Sequence, residues 1–296
     1  MDKLYLIIAI VVVILGIYLA SRYCLAKAQT PTDAIPPDEE QLIEDMITLM
    51  DCPYQLFSKG KDRQTIMEAY QQACDSGKTK GFVPVYFTID VNLFKCLMSN
   101  MGFEREDMVD EDLPFDEMLK GLRKRLLTEE GKSGQEMLEK LLQQYIKDYD
   151  QDGNPGWQQF RSEPAYDNVT NDCFTGILWD ENGKTVHDLI LAEIPVRQPW
   201  QVFAWCPYGD WNACPDADTH FAVARYWHEE YEAIPMVIGS DFIIYRVPKP
   251  VDDDRAATLA EEQFAYDEDI VTQGVGNINT QEQLLRQSRY WYFWWD

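Results

Sequence analysis

Three histidines, His187, His220 and His228, are all that the 296 residues contain, which leaves little material for imidazole catalysis or a histidine-rich metal centre. Basic residues are also scarce. Lys and Arg total 26 against 51 Asp and Glu, a formal net charge of −25. Such a field repels nucleic acid and anionic headgroups, so no nucleic-acid role is expected. It attracts basic proteins or cations at rates that fall with salt, and it equally serves as a solvated surface that keeps the chain soluble. There is no Gly-rich phosphate loop, no nucleophile elbow, no internal repeat and no low-complexity tract. Seven cysteines, at 24, 52, 74, 96, 173, 206 and 214, are an odd number without the dense spacing of a secreted disulfide scaffold, which supports a reducing compartment. Cys74 and Cys96 fall in apolar helical contexts and read as inert core residues.

What the chain does have begins with an apolar run. Leu4 to Ala20 is 17 residues without a charge, flanked by Lys3 and Arg22, at the short end of what crosses a bilayer as a helix. Ala26-Lys27-Ala28 has the small-x-small form of a signal cleavage site, but the run exceeds a usual signal core and charges follow it, so an uncleaved single-pass anchor is expected over residues 1–28. The slight excess of Lys and Arg on its C-terminal side places the soluble part in the cytoplasm, at a bacterial inner membrane; a periplasmic placement is the alternative. No lipobox precedes Cys24, although a juxtamembrane cysteine can be acylated. Residues 29–38 carry three prolines and no apolar period, a stiff linker.

Residues 39–165 read as mainly α with one short strand. Helical spacing of apolar residues predicts helices over Glu39–Met50, Asp62–Asp75, Asp90–Met101, Phe115–Leu127 and Ser133–Tyr149, with Gly77 and Gly81 ending the second and a strand at Phe82–Ile89. Residues 166–296 turn to short β-rich segments. Strands are expected at Phe174–Asp180 and Thr185–Ile194, around the Glu181-Asn182-Gly183 turn, and at Trp200–Trp205, Ile234–Ile238 and Phe242–Val247. Helices are expected at Pro215–Tyr231, Asp254–Tyr266 and Gln281–Ser288. The chain closes on Tyr290-Trp291-Tyr292-Phe293-Trp294-Trp295-Asp296, and six consecutive aromatic side chains must pack as a strand. The expected class is α+β: an N-terminal transmembrane helix, a mainly helical N-terminal half, and a mixed sheet with helices in the C-terminal half.

At the junction, Asp148, Asp150 and Asp152 with Gly153 match the opening of a calcium loop, in which alternate carboxylates converge on a hard cation and glycine permits the sharp turn. Pro155 and Gln159 break the rest of that pattern, since position twelve normally supplies a bidentate glutamate. An acidic turn joining two domains is the other reading. No cofactor is otherwise expected.

Several segments then point to one family. Pro199-Trp200-x-Val202-Phe203-Ala204-Trp205, Gly209-Asp210-Trp211-Asn212-x-Cys214-Pro215, Tyr226-Trp227-x-x-x-Tyr231-x-x-x-Pro235 and the Trp291-x-Phe293-Trp294-Trp295-Asp296 ending resemble domain of unknown function family 4253. Leu259-Ala260-x-Glu262-Gln263-x-Ala265-Tyr266 and Asp269-Ile270-Val271-x-Gln273-Gly274 are similar to it as well, and Gly77-Lys78-x-x-Gly81-Phe82-x-Pro84-Val85 is similar to the segment often found ahead of it. The resemblance covers about residues 62–102 and 190–296 and implies a soluble bacterial domain with no established activity. It also implies glycine where this chain has Asp210, and Gly-Ala where it has Glu232-Ala233.

Two functional readings follow. Cys206, Cys214, His220 and His228 are the right types for zinc, but the histidines lie eight apart on a predicted helix, about two turns, which one metal does not span easily. Cys214 before a helix N-terminus, with His220, is the candidate for a thiol- or metal-dependent enzyme, against which Asp216 and Asp218 disfavour a thiolate. The favoured reading is a membrane-anchored, non-enzymatic interaction module for a basic protein, in an immunity-type or regulatory role, with Trp205, Asp210, Trp211, Asn212 and Asp216 as its binding surface. The Trp200, Trp205 and Trp211 cluster reads as core rather than a platform for bases.

Overall fold

A computed structural model describes residues 37–102, 115–128, 133–151, 156–167, 174 and 176–295. The expected anchor over residues 4–20 lies outside them, as do Cys24 and the linker up to residue 36. No helix among the described residues is long and apolar enough to cross a membrane.

The chain is α+β. Its elements run α1 (Pro37–Met50), β1 (Tyr54–Phe57), α2 (Arg63–Lys80), β2 (Val83–Thr88), α3 (Val91–Asn100), α4 (Phe115–Thr128), α5 (Gly134–Gln151), α6 (Trp157–Arg161), β3 (Leu189–Ile194), a 3-10 turn (Pro199–Gln201), α7 (Val202–Trp205), α8 (Ala217–Tyr231), β4 (Ile234–Ile238), β5 (Phe242–Arg246), α9 (Asp253–Tyr266), a π-helical segment (Ile270–Val275), α10 (Ile278–Leu285) and β6 (Tyr290–Trp294). The strands form one six-stranded sheet in the order β1-β3-β2-β4-β5-β6. Neighbours are antiparallel except β2 and β4, which are parallel at the centre. Two of the strands come from the segment before residue 165, so the sheet draws on both halves of the chain.

Both faces of the sheet are covered, and strand alternation sorts the residues between them. Tyr86, Leu189, Leu191 and Ile244 face α2 and the 174–179 turn. Phe87, Ile190, Tyr245, Trp291 and Phe293 face the larger core under α8 and α9. The terminal aromatic block thereby splits by period two: Trp291 and Phe293 are buried in the larger core, while Tyr290, Tyr292 and Trp294 are half-buried against the smaller one. Trp227 of α8 stacks on Phe293 with ring centroids 5.3 Å apart and meets Tyr245 and Trp291 edge to face. Such pairs contribute about 1 kcal/mol each beyond the area they bury.

Helix starts follow side-chain chemistry. Asp90 accepts from the Asn92 and Leu93 N–H groups, Asp216 from Thr219 N–H, and Asn277 from Thr280 N–H. That last cap moves the expected Gln281–Ser288 helix back to Ile278–Leu285. The expected stop at Gly77 is also corrected. Gly77 lies within α2, where a Cβ would sit 2.4 Å from the Phe82 carbonyl oxygen, and Gly81 at φ +81° ends the helix instead.

Two expected strands are absent. Trp200–Trp205 forms the 3-10 turn and α7, because Gln201 accepts the Arg197 and Gln198 N–H groups and the consecutive residues Val202, Phe203 and Ala204 are all buried, a pattern no half-buried strand gives. Residues 176–179 turn back on Phe174, whose carbonyl accepts from Leu178 and Trp179 N–H, and the expected hairpin is reduced to a Trp179–Thr185 bridge beside a Val186 N–H to Leu178 carbonyl bond, with β3 starting at Leu189. The Asp180–Lys184 reversal itself is present, its Asp180 N–H donating to the Lys184 carbonyl at 2.8 Å.

Candidate functional site

The segment between α7 and α8 is where the backbone departs furthest from ordinary geometry. Gly209, Asp210 and Asn212 all take positive φ, at +101°, +69° and +44°. Two hydrogen bonds close the turn on itself: Asp210 N–H to the Pro215 carbonyl at 3.0 Å, and Cys214 N–H to the Trp211 carbonyl at 2.8 Å. A third ties it to α3, whose Asn100 amide donates to the Gly209 carbonyl at 2.8 Å. Gly209 is required twice over. Its φ is left-handed, and a Cβ there would lie 1.8 Å from the Pro215 carbonyl oxygen and 2.7 Å from His220 Nε2.

Beneath the turn the interior is aromatic. His220, fully buried, stacks on Phe203 and is edge-on to Tyr266 and Trp295. The Cys214 Sγ lies 3.5 Å from His220 Nε2, and His220 Nδ1 hydrogen bonds the Tyr266 hydroxyl. The structure therefore brings together the two residues of the thiol-enzyme reading. Their electrostatics run against it. Burial drives the His220 pKa down to about 3, with the Asp216 charge opposing, and burial pushes the Cys214 thiol well up, reinforced by Cys96, Asp267 and Asp210. The proton stays on sulfur and the imidazole stays neutral, the reverse of a thiolate–imidazolium pair. Cys214 is 5% exposed.

Above the turn lies a groove of about 540 Å³. The turn gives it Gly209, Asp210 and Trp211; the β4–β5 turn gives Ser240 and Asp241; the C-terminal end gives Trp295. Its remaining wall is α3, with Asn92, Lys95, Cys96, Ser99 and Asn100. These recur at helical spacing on the face beside the buried Leu93 and Leu97. The walls are fixed to one another: Trp295 N–H donates to the Asp241 carbonyl at 2.9 Å, and Trp211 stands edge-on to Tyr208 at 4.9 Å between ring centroids. Lys95, Asp210 and Asp241 make no ion pair among the described residues.

The other sequence candidates are dispersed. Trp205 is half-buried away from the groove, its Nε1–H donating to the Met50 carbonyl at 2.7 Å and its ring lying 3.8 Å from the Arg123 guanidinium carbon. Asp216 is the cap of α8, and Asn212 is exposed on the turn without lining the groove. Cys206 and His228 do not join Cys214 and His220. Cys206 is buried near Arg123, and His228 Nδ1 is 3.0 Å from the Ala233 carbonyl oxygen. Among the described residues no group of three or more His, Cys, Asp and Glu is arranged to hold a metal. Of the calcium candidates, Asp148 accepts from Gln144 and Asp150 accepts the Trp157 N–H at 2.9 Å, both from α5, while Asp152 lies outside the described residues.

Sequence reasoning thus reached Asp210 and Trp211 but missed Asn92, Lys95, Cys96, Asn100, Ser240, Asp241 and Trp295 as groove residues. The polar stripe on α3 was a usable signal; the approach of the β4–β5 turn was not, because it arises from sheet order. No curated protein and no solved structure matches the chain. Residues 190–296, which hold the turn, Cys214, His220 and Trp295 but not α3, match the family model for a domain of unknown function, DUF4253.

Proposed function

We propose that this chain is a non-enzymatic interaction module that recognises a basic protein, held at a membrane by residues 4–20 with its soluble part on the cytoplasmic side. The observation that carries this reading is the contrast at the 208–216 turn. The cysteine and histidine that meet there are buried and neutral, whereas the neighbouring groove holds Asp210 and Asp241 without ion-pair partners among the described residues. The net charge of −25 adds long-range attraction for a basic partner.

Crosslinked affinity purification of the full-length protein from its native membrane, with salt varied in the wash, tests it. Recovery of one basic partner that is lost at high salt supports the reading; recovery of no such partner removes it. The thiol-enzyme reading keeps one observation in its favour, the 3.5 Å approach of Cys214 to His220. Rapid alkylation of Cys214 in the native protein at neutral pH would shift the assignment to it.

A further inference from the structure

We infer that the region matched by the family model, residues 190–296, is not a self-standing module: residues 54–102 are its obligatory strand donor and set the shape of its 208–216 turn. Sheet order is the first observation. Within the matched region β3 shares no edge with β4, β5 or β6. Its two neighbours are β1, paired from Tyr54↔Ala192 to Phe57↔Leu189, and β2, paired from Val83↔Ile194 to Thr88↔Leu189. In turn β2 is the parallel neighbour of β4, at Tyr86↔Val237 and Phe87↔Ile238. Without β1 and β2, β3 would lose both partners and β4 would keep one bare edge, although Leu191, Ala192, Val237 and Ile238 are all 0% exposed. Buried backbone N–H and C=O groups are almost always paired, so such a cut leaves no stable sheet.

Packing points the same way. Every residue of β2 is buried. Val85 and Phe87 enter the larger core with Trp227, Tyr245 and Phe293, whereas Tyr86 enters the smaller one with Leu191 and Ile244, its hydroxyl donating to the Ile66 carbonyl of α2 at 2.9 Å. A strand buried on both faces and paired on both edges is the centre of a fold, not an addition to it. The third observation is at the turn. Asn100, the last residue of α3, donates its amide to the Gly209 carbonyl at 2.8 Å. Four residues earlier, Arg123 of α4, 3% exposed, donates to the Trp205 carbonyl at 3.2 Å and to the Leu49 carbonyl at 2.7 Å, and the Trp205 indole returns a bond to the Met50 carbonyl. Both ends of the 205–209 segment that leads into the turn are thus held from outside the matched region.

Urea unfolding and native-state hydrogen exchange of the full-length protein test this. All nine tryptophans lie at residue 157 or later, so their fluorescence follows the later part of the chain alone, while far-UV circular dichroism follows the whole. In Tyr86→Ala both midpoints are expected to fall together, by ~1 M urea or more. A fluorescence midpoint that stays at its wild-type value overturns the inference. Exchange in the wild-type protein gives an independent reading even where that variant does not fold. The amides of Tyr86 and Phe87 are expected to open with those of Leu191, Val237 and Ile238 in one event with one urea dependence. Exchange of the β2 amides while Leu191, Val237 and Ile238 stay protected overturns it. At the turn, Asn100→Ala is expected to speed exchange of the Asp210 and Cys214 amides ~5-fold without changing Val237, and unchanged exchange there removes the role of α3 in shaping the turn.

Discussion

The two sides of the 208–216 turn treat charge in opposite ways. On the inner side Cys214, His220 and Tyr266 are wrapped in aromatic rings, and the environment suppresses every charged form they could take. On the outer side Asp210, Asp241 and Lys95 line an open groove in which charge carries little desolvation cost. The residue types that suggest chemistry in a sequence are buried and neutral here. Those that suggest only solubility line the groove.

The largest expected effect removes the boundary between the two sides. Gly209→Val places a branched side chain at φ +101° and into the Pro215 carbonyl and the His220 ring, for an expected loss of about 4 kcal/mol or more in urea unfolding. A loss below about 1 kcal/mol would show that the turn is not clamped as described.

Next comes the pH response of the inner side. His220 has a folded pKa of about 3 against an ordinary value of 6.5. The unfolded chain therefore takes up a proton that the folded chain refuses, and stability present above about pH 6.5 is lost as pH falls toward 3. Between pH 7 and pH 5 the loss attributable to His220 is ~2 kcal/mol. Asp267 works in the opposite sense. Burial raises its pKa from 3.8 to about 8 while its carboxyl accepts the Trp294 and Asp269 N–H groups. Its contribution is present below about pH 4 and is lost as pH rises through 8. The wild-type curve mixes the two, so His220→Gln separates them. The stability gap between wild type and the variant should narrow by ~2 kcal/mol from pH 7 to pH 5, and a constant gap would mean that burial does not depress the imidazole pKa.

A smaller effect is expected at the thiol. Cys214→Ala should cost about 1 kcal/mol and leave capture of a basic partner unchanged. In the native wild-type protein, iodoacetamide should leave Cys214 unlabelled at pH 7.4 and label it after unfolding. Labelling of Cys214 in the native protein, or loss of partner capture in the alanine variant, would dissolve the distinction between inner and outer sides.

Much of the fold was legible because the cues were local. Asp90 announced its helix, and the aromatic block Tyr290–Trp295 announced β6. The failures were non-local. Val202, Phe203 and Ala204 look like a strand until three adjacent burials are seen, and nothing near Phe174 says that Arg63 will cover it at 5.8 Å from the ring. The site was half legible for the same reason. Asp210 and Trp211 sit in a distinctive turn, whereas Asp241 joins them only because β6 returns beside β5 and fixes Trp295 to it.

The smallest effects compare two residues that share one backbone problem. The family resemblance implies glycine at 210 and at 232, and the structure gives the reason: Asp210 at φ +69° and Glu232 at φ +56° both occupy the left-handed region, Glu232 as the C-terminal cap of α8. Relieving that strain with glycine is expected to stabilise the protein by ~0.5–1 kcal/mol at Glu232. At Asp210 the gain should be smaller, since aspartate tolerates this conformation better than glutamate. The two substitutions separate at the groove. Glu232→Gly removes a carboxylate that does not line it, so capture of a basic partner should be unchanged. Asp210→Gly removes one of the two carboxylates that do, so capture should weaken ~10-fold in a protein that is no less stable. Parallel urea unfolding and affinity capture at varied salt measure both quantities. Equal capture by both would reduce Asp210 to one more charge of a solvated acidic surface.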